Sequence, residues 1–273
     1  MKSFLRKIKR AIHNITKPNA LPLSEAAREC IRLAALPRYV KTSTDLPGYC
    51  LTIPDGPSFL ASWEEIFERE IYAFNHANDK PRILDCGANV GVSCLYFRKR
   101  FPNARITAFE PDPEIFAYLQ SNLASAGCLG VELIPKGVWS SNTTLRFQSE
   151  GADAGRIGNE EGKTVIEIPT VRLRDFLNKS VDLLKIDIEG AETEVILDIA
   201  PCLGKVRNIF VEYHSFAGQP QSLGKLVQTL TDAGFRIQIH PIYYAPQPFI
   251  EVCDHLGMDM QLNIFGSREE SSS

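Results

Sequence analysis

From Arg82 onward the chain alternates in a way that leaves few folds open. Ile83–Cys86 is a short apolar run, Val90–Arg100 has helical character, and Arg105–Phe109 is apolar again. Asp112–Ala126 reads as a helix stopped by Gly127, and Val131–Ile134 as a third strand. Strand, helix, strand, helix, strand in close succession requires a parallel sheet with right-handed crossovers. The first strand runs into Asp85-Cys86-Gly87-Ala88-Asn89-Val90-Gly91, a glycine-bounded turn that opens the next helix. Such a turn lies at the carboxyl end of a parallel strand, where ligands bind. Gly87 and Gly91 let backbone approach a ligand that a Cβ would block.

The remainder keeps the rhythm. Thr143–Phe147 and Thr164–Ile168 read as a strand pair around the polar, glycine-rich loop Ser149–Lys163, whose length suits a mobile substrate lid. Arg172–Leu177 reads as a short helix, Val181–Ile186 as a strand broken only by Asp182 and Lys185, and Ala191–Ile199 as a helix. Val206–Val211 is a further buried strand leading to Glu212-Tyr213-His214. A helix over Ser222–Ala233 and strands over Phe235–His240 and Met260–Phe265 complete the sheet.

Upstream, Ser24 caps a helix to about Leu36, and 37–57 is turn-rich, with one short strand near Tyr49–Ile53. Ser62-x-x-Glu65 resembles a capping box ahead of Trp63, Ile66, Phe67, Ile71 and Phe74. That aromatic stripe reads as core, or as the wall of a cofactor pocket. Residues 1–16 have the periodicity of a basic amphipathic helix, with Phe4, Leu5, Ile8, Ile12 and Ile15 on one face and Lys2, Arg6, Lys7, Lys9 and Arg10 crowding the other. Such a helix suits peripheral contact with an anionic membrane, or packing on its own domain or a partner.

Composition removes several classes of partner. A net charge of -3 gives no general reason to expect nucleic-acid binding. The seven cysteines are scattered with no C-x-x-C pair, so neither a zinc site nor a disulfide framework is indicated and a reducing cytoplasm is the expected compartment. No apolar run is long enough to span a bilayer, and the N-terminus lacks a signal-peptide core.

Three acidic strand ends carry the chemistry: Asp85, Glu110, and Asp187 with Glu189. Glu110 lies 19 residues after Gly91 at the tip of the next strand, the position from which a carboxylate grips the hydroxyls of a ribose. The turn is D-x-G-x-x-x-G and lacks the close glycine pair that seats a pyrophosphate on a helix N-terminus. A nucleoside without a diphosphate fits better than NAD, and S-adenosylmethionine is such a ligand. A nucleotide (NAD)-dependent oxidoreductase on a similar sheet and a non-catalytic cofactor-binding module are the alternatives.

Three strings together, Asp85-Cys86-Gly87-Ala88-Asn89-Val90-Gly91, Phe109-Glu110-Pro111-Asp112-Pro113 and Leu184-Lys185-Ile186-Asp187-Ile188-Glu189-Gly190-Ala191-Glu192, resemble the FkbM-type methyltransferases in order, spacing and context. Val171–Leu177 resembles that family's V-x-L-D-D-F-L, with Arg174 in place of an acid, and Glu212-Tyr213-His214 resembles its acidic strand end. The resemblance spans roughly Arg82 to His240. It implies an α/β, Rossmann-like class I methyltransferase fold: a mostly parallel seven-stranded sheet with helices on both faces, to which the pattern of the preceding residues adds a helical N-terminal extension. The corresponding division is an extension over 1–57, a methyltransferase domain over 58–268 and a disordered tail over 269–273. It also implies S-adenosylmethionine as cofactor and a hydroxyl of a sugar, glycan or secondary metabolite as acceptor. Asp85, Gly87, Asn89 and Gly91 would hold the methionine part, Glu110 with Pro111 the ribose, and Lys136-Gly137-Val138 would border the adenine. Asp187 and Glu189 would face the sulfonium and the acceptor.

A neutral alcohol is a poor nucleophile, so a hydroxyl acceptor needs a base. Asp187, Glu189 and His214 are the candidates, against a plainer reading in which His214 caps a strand end and Asp187 only bonds the cofactor's ammonium group. Asp187, Glu189, Glu212 and His214 can be imagined around Mg²⁺ or Mn²⁺, but no compact ligand spacing supports this, and no metal is expected. Lys185 is open to a structural role or to pairing with an anionic part of the substrate. Cys86 and Cys94 read as small hydrophobes. Tyr243-Tyr244, among Pro241, Pro246 and Pro248, reads as an aromatic loop suited to line an acceptor site.

Overall fold

A computed structural model describes residues 23–46, 48–148, 156–157, 165–250 and 256–268. The amphipathic segment 1–16, the tail 269–273 and most of the loop 149–163 lie outside these residues.

Helix α1 (Glu25–Ala34) starts at Ser24, whose hydroxyl accepts the Ala27 amide. The turn-rich segment holds two strands rather than one, β1 (Thr42–Thr44) and β2 (Leu51–Ile53), paired as an antiparallel hairpin. Helix α2 (Gly56–Trp63) comes next and runs directly into a π-helical turn, Glu64–Glu68, in which the Arg69 amide reaches the Glu64 carbonyl. The expected capping box at Ser62 is therefore not a helix start. Asp55 is the cap: its carboxylate accepts the Ser58 amide at 2.8 Å, and Pro57 occupies the first turn, where its missing N–H is no loss. Ser62 lies within the last turn of α2.

The main sheet begins at β3 (Arg82–Cys86) and alternates with helices α3 (Val92–Arg100) and α4 (Pro113–Ser125) through β4 (Arg105–Phe109) to β5 (Glu132–Ile134). Strands β6 (Gly137–Trp139), β7 (Thr144–Gln148), β8 (Arg156–Ile157) and β9 (Val165–Arg172) form a smaller sheet in the order β6-β9-β7-β8. Back in the main sheet come β10 (Val181–Ile186), α5 (Glu192–Ile199), β11 (Val206–Phe216), α6 (Leu223–Asp232), β12 (Arg236–Tyr244) and β13 (Met258–Ser267). The expected short helix at Arg172–Leu177 is a single 3₁₀ turn, Leu173–Phe176.

The seven strands lie in the order β12-β13-β11-β10-β3-β4-β5. Neighbours from β11 to β5 are parallel, while β13 runs antiparallel between β11 and β12. This is the Rossmann-like class I sheet. Its central strands are covered on both sides, so they read as nearly continuous apolar runs. On one face the core is built from α1–α4, with Leu33, Leu95, Phe97 and Leu119 fully buried; on the other, α5 and α6 supply Val195, Ile196, Leu226 and Leu230. Trp63 and Phe67 stack at 4.1 Å against the first of these cores, so the aromatic stripe is packing.

Asn122 of α4 donates to the carbonyls of Thr52 and Val90 and accepts the Thr52 amide, tying the β1–β2 hairpin to the turn after β3. Tyr243 and Tyr244 are not a loop: β12 continues past Pro241 through a register shift and pairs both with β13. Among the described residues no helix is long and apolar enough to cross a membrane.

Candidate active site

The parallel strands bring their carboxyl ends to one edge, and the residues singled out from the sequence fall there in two groups. The first surrounds the tips of β3 and β4. After Cys86 the chain turns through Gly87 (φ +86°), Asn89 (φ 48°) and Gly91 (φ +96°) before α3 starts. The Gly87 and Ala88 amides both donate to the Phe109 carbonyl, so the turn is sewn to the end of β4. Glu110 sits immediately beyond, 7% exposed, with Oε2 accepting the Asn89 amide at 3.0 Å and Oε1 the Asp112 amide at 3.0 Å. Burial pushes this carboxyl up to about 7, against the Asp112 and Asn89 amides that favour its charge. Gly137, at the start of β6, faces Pro111: a Cβ there would stand 3.6 Å from the proline and 3.1 Å from Ile168. Asn89, Glu110, Pro111 and Gly137 thus share one neighbourhood.

The second group surrounds the tips of β10 and β11. Asp187 and Glu189 leave β10 through a turn in which Glu189 (φ 56°) and Gly190 (φ +99°) are both left-handed. His214 is buried on β11. Its Nε2 stands 3.4 Å from Glu189 Oε2 and 3.7 Å from Glu212 Oε1, and its Nδ1 3.0 Å from Glu192 Oε1. Burial alone would lower the imidazole's pKa, but the Glu189, Glu192 and Glu212 carboxylates hold it well above its ordinary value. Glu212 is itself pushed up to about 8, by burial first and by Asp187 second. Burial, with Asp187 and Glu212, also drives Glu189 well above the usual carboxylate range, against the pull of His214.

Between the groups lie Asp85 and Lys185, on adjacent strands in register. Asp85 is fully buried; its Oδ2 accepts the Ser93 hydroxyl at 2.5 Å and the Cys94 thiol at 3.4 Å, while Oδ1 stands 3.4 Å from Lys185 Nζ. Lys185 is 3% exposed, donates to the Gly87 carbonyl at 2.7 Å and pairs with Asp187 at 3.3 Å. Burial would lower its pKa, but Asp187 and Asp85 override that and keep it well above the usual lysine value. Of the two roles open to Lys185, the structure gives the internal one, a buried cation between two carboxylates. The seam is also tight in the backbone. A Cβ on Gly87 would fall 1.8 Å from the Asp187 carbonyl oxygen, so only glycine permits the two turns to touch.

Several site residues escape a reading by motif. Glu65, on the π-helical turn, lies near enough for the charge of Asp187 to act on it and for its own charge to act on Glu212. Tyr72 packs edge-on against Phe210, close to Lys185 and Asp187. Gln261, opposite His214 on β13, donates to Glu212. Each comes from an element far away in sequence, and no local pattern signals it. Glu192 is the exception, since it closes the most specific string in the chain.

The chain is similar to known proteins over the stretch that carries these residues. A family model described as the methyltransferase FkbM domain matches residues 85–237. The methyltransferase sdnD of Sordaria araneosa is 30% identical over 226 residues, covering 68% of this chain and 86% of that protein. The 31-O-demethyl-FK506 methyltransferase FkbM of Streptomyces tacrolimicus is 24% identical over 213 residues, covering 64% and 81%. The 2-O-methyltransferase NoeI of Sinorhizobium fredii is 28% identical over 155 residues, covering 49% of this chain and 63% of its own length.

Proposed function

Because the chain belongs to the FkbM methyltransferase family, we propose that it methylates a hydroxyl oxygen on a sugar, glycan or secondary metabolite, with S-adenosylmethionine as donor. Two relatives whose names specify oxygen as the acceptor, NoeI and FkbM, support that choice. The observation that carries the reading is Glu110: a buried carboxylate held by two backbone amides at the tip of β4, next to Pro111, which Gly137 faces.

The donor set fits the cofactor. Glu110 and Pro111 would take the ribose, Gly137 would leave space beside the adenine, and Gly87, Asn89 and Gly91 would present turn backbone to the methionine part. Asp85 would serve this seat from within, since its carboxylate is already bonded to Ser93 and Cys94 and paired with Lys185. S-adenosylmethionine supplies a methyl carbon made electrophilic by positive sulfur. The protein's own work is positioning, which contributes about 7–11 kcal/mol in well-oriented reactions, together with removal of the acceptor's proton. Asp187, Glu189 and His214 would share that second task, with the proton passing to His214 Nε2. The surrounding carboxylates make the imidazole a stronger base, one that is available only once it has lost its own proton. The rate should therefore rise with pH through an apparent pKa above the ordinary histidine value.

Transfer of labelled methyl groups from S-adenosylmethionine into a cell extract, with mass spectrometry of the product, tests the proposal. A methyl ether in the product supports it. Label on nitrogen or carbon, or no label from protein that binds NAD instead, overturns it.

A further inference from the structure

The methyltransferase reading leaves Glu192 without a task, although it is among the least accessible carboxylates in the site. We propose that Glu192 is the positioning residue of the proton-accepting side: a single oxygen, Oε1, orients His214 with Nε2 toward the acceptor and pins the turn that presents Asp187 and Glu189. The proposal rests on the methyl-transfer reading for the identity of the reaction, but its geometry stands independently.

Glu192 opens α5, and its side chain is 1% exposed. Its Oε1 receives the Gly190 amide at 2.9 Å, the Ile188 amide at 3.3 Å and lies 3.0 Å from His214 Nδ1. An ionised carboxylate only accepts, so the hydrogen of this last contact belongs to Nδ1. In the neutral ring the lone pair is then on Nε2, which faces Glu189, Glu212 and Gln261. The two amides belong to the turn in which Glu189 adopts a left-handed backbone, a conformation that persists only where surrounding contacts hold it. The imidazole also stacks on Phe216, and that ring lies so near Gly190 that a Cβ there would approach it to 2.7 Å. Ring, turn and carboxylate therefore form one unit, with Glu192 Oε1 at its node.

The groups acting on His214 are Glu192 from α5, Glu189 from the turn, Glu212 from its own strand and Gln261 from β13. Asp187 and Glu65 act on it through Glu212. Asp187, Glu212 and His214 also bring ligand-type atoms within 4.8 Å of one another. A metal bound there would occupy Nε2 and exclude the base role, so the test must separate the two.

The experiment uses the full chain labelled with ¹⁵N-histidine, in which His214→Gln identifies one signal among five histidines. Wild type should show the Nδ1–H tautomer at His214 with a midpoint above the ordinary one. Glu192→Gln keeps an acceptor oxygen for the amides but loses the charge. It should lower that midpoint, carry the acidic limb of the methyl-transfer rate to lower pH and reduce the maximal rate about 10- to 100-fold. Calorimetric affinity for S-adenosylmethionine should stay within about twofold. Glu192→Asp, too short to reach both amides and ring, should not rescue the rate.

An unmoved His214 titration in Glu192→Gln overturns the proposal. So does a parallel loss of S-adenosylmethionine affinity, or micromolar Mn²⁺ broadening the His214 signal and supporting turnover. If wild type transfers no methyl group, the methyltransferase reading falls, while the tautomer and titration still decide the Glu192–His214 link. Should Glu192→Gln melt below the working temperature, the wild-type tautomer decides: an Nε2–H form at His214 also overturns the proposal.

Discussion

Two pairs of strand ends meet at the same edge of the sheet and are assembled by different means. Around β3 and β4, main chain does most of the work: the Gly87 and Ala88 amides hold the turn to β4, and the amides of Asn89 and Asp112 hold Glu110. Around β10 and β11, side chains from the turn, α5, β11 and β13 converge on a buried histidine, and Glu65 acts from the π-helical turn. The first region is a fixed seat built from backbone geometry. The second is an electrostatic cluster whose properties depend on charges brought together from afar. The difference matters for design. The first should tolerate almost no change of shape, and the second almost no change of charge.

The seam between them offers the sharpest break. Gly87→Ala places a Cβ against the Asp187 carbonyl at a positive φ and should cost about 4 kcal/mol or more of stability by urea unfolding. A wild-type midpoint would mean the two turns are not locked together. Lys185→Met strands Asp85 in the core and should cost about 3 kcal/mol or more, with Asp85→Asn recovering part of it in the double variant.

The pH dependence of stability separates seat from cluster more gently. A carboxyl with a folded pKa of about 7 and an unfolded one near 4.5 binds its proton more tightly when folded. Its stabilising contribution is complete below about pH 4.5 and is lost as pH rises to about 7, a fall of up to about 3 kcal/mol. Glu110→Gln should flatten that decline in urea melts taken across this range. Glu110→Ala should weaken S-adenosylmethionine binding about 10- to 100-fold by calorimetry, and an unchanged affinity would remove Glu110 from the seat. Outside both regions, Arg172→Ala removes a half-exposed pair with Asp198 and should cost under about 1 kcal/mol.

The seat is legible in the sequence because each of its parts is local: a glycine-bounded turn, then an acidic residue at the next strand tip. The cluster is legible only where it is local too, in Asp187-Ile188-Glu189-Gly190 and His214. Glu65 and Gln261 arrive through tertiary packing, which no periodicity encodes. The false capping box at Ser62 arises because the stronger start, Asp55-Gly56-Pro57, has the composition of a turn and hides the helix it opens. The two tyrosines resemble a loop because proline ends most strands, whereas β12 absorbs Pro241 in a register shift.

The π-helical turn at Glu64–Glu68 carries a consequence for the length of the chain rather than its chemistry. A wide turn of this kind holds one residue more than an α-helix needs for the same advance. Removing a single residue there would let the ladder close as ordinary helix and rotate Glu65 by about 100° relative to the chain beyond Arg69. Either α2 would leave the core in which Phe59, Leu60 and Trp63 are buried, or the chain beyond Arg69 would lose its place. The register between α2 and the sheet that follows is thus set by a count, and a one-codon deletion would shift it without altering any other letter.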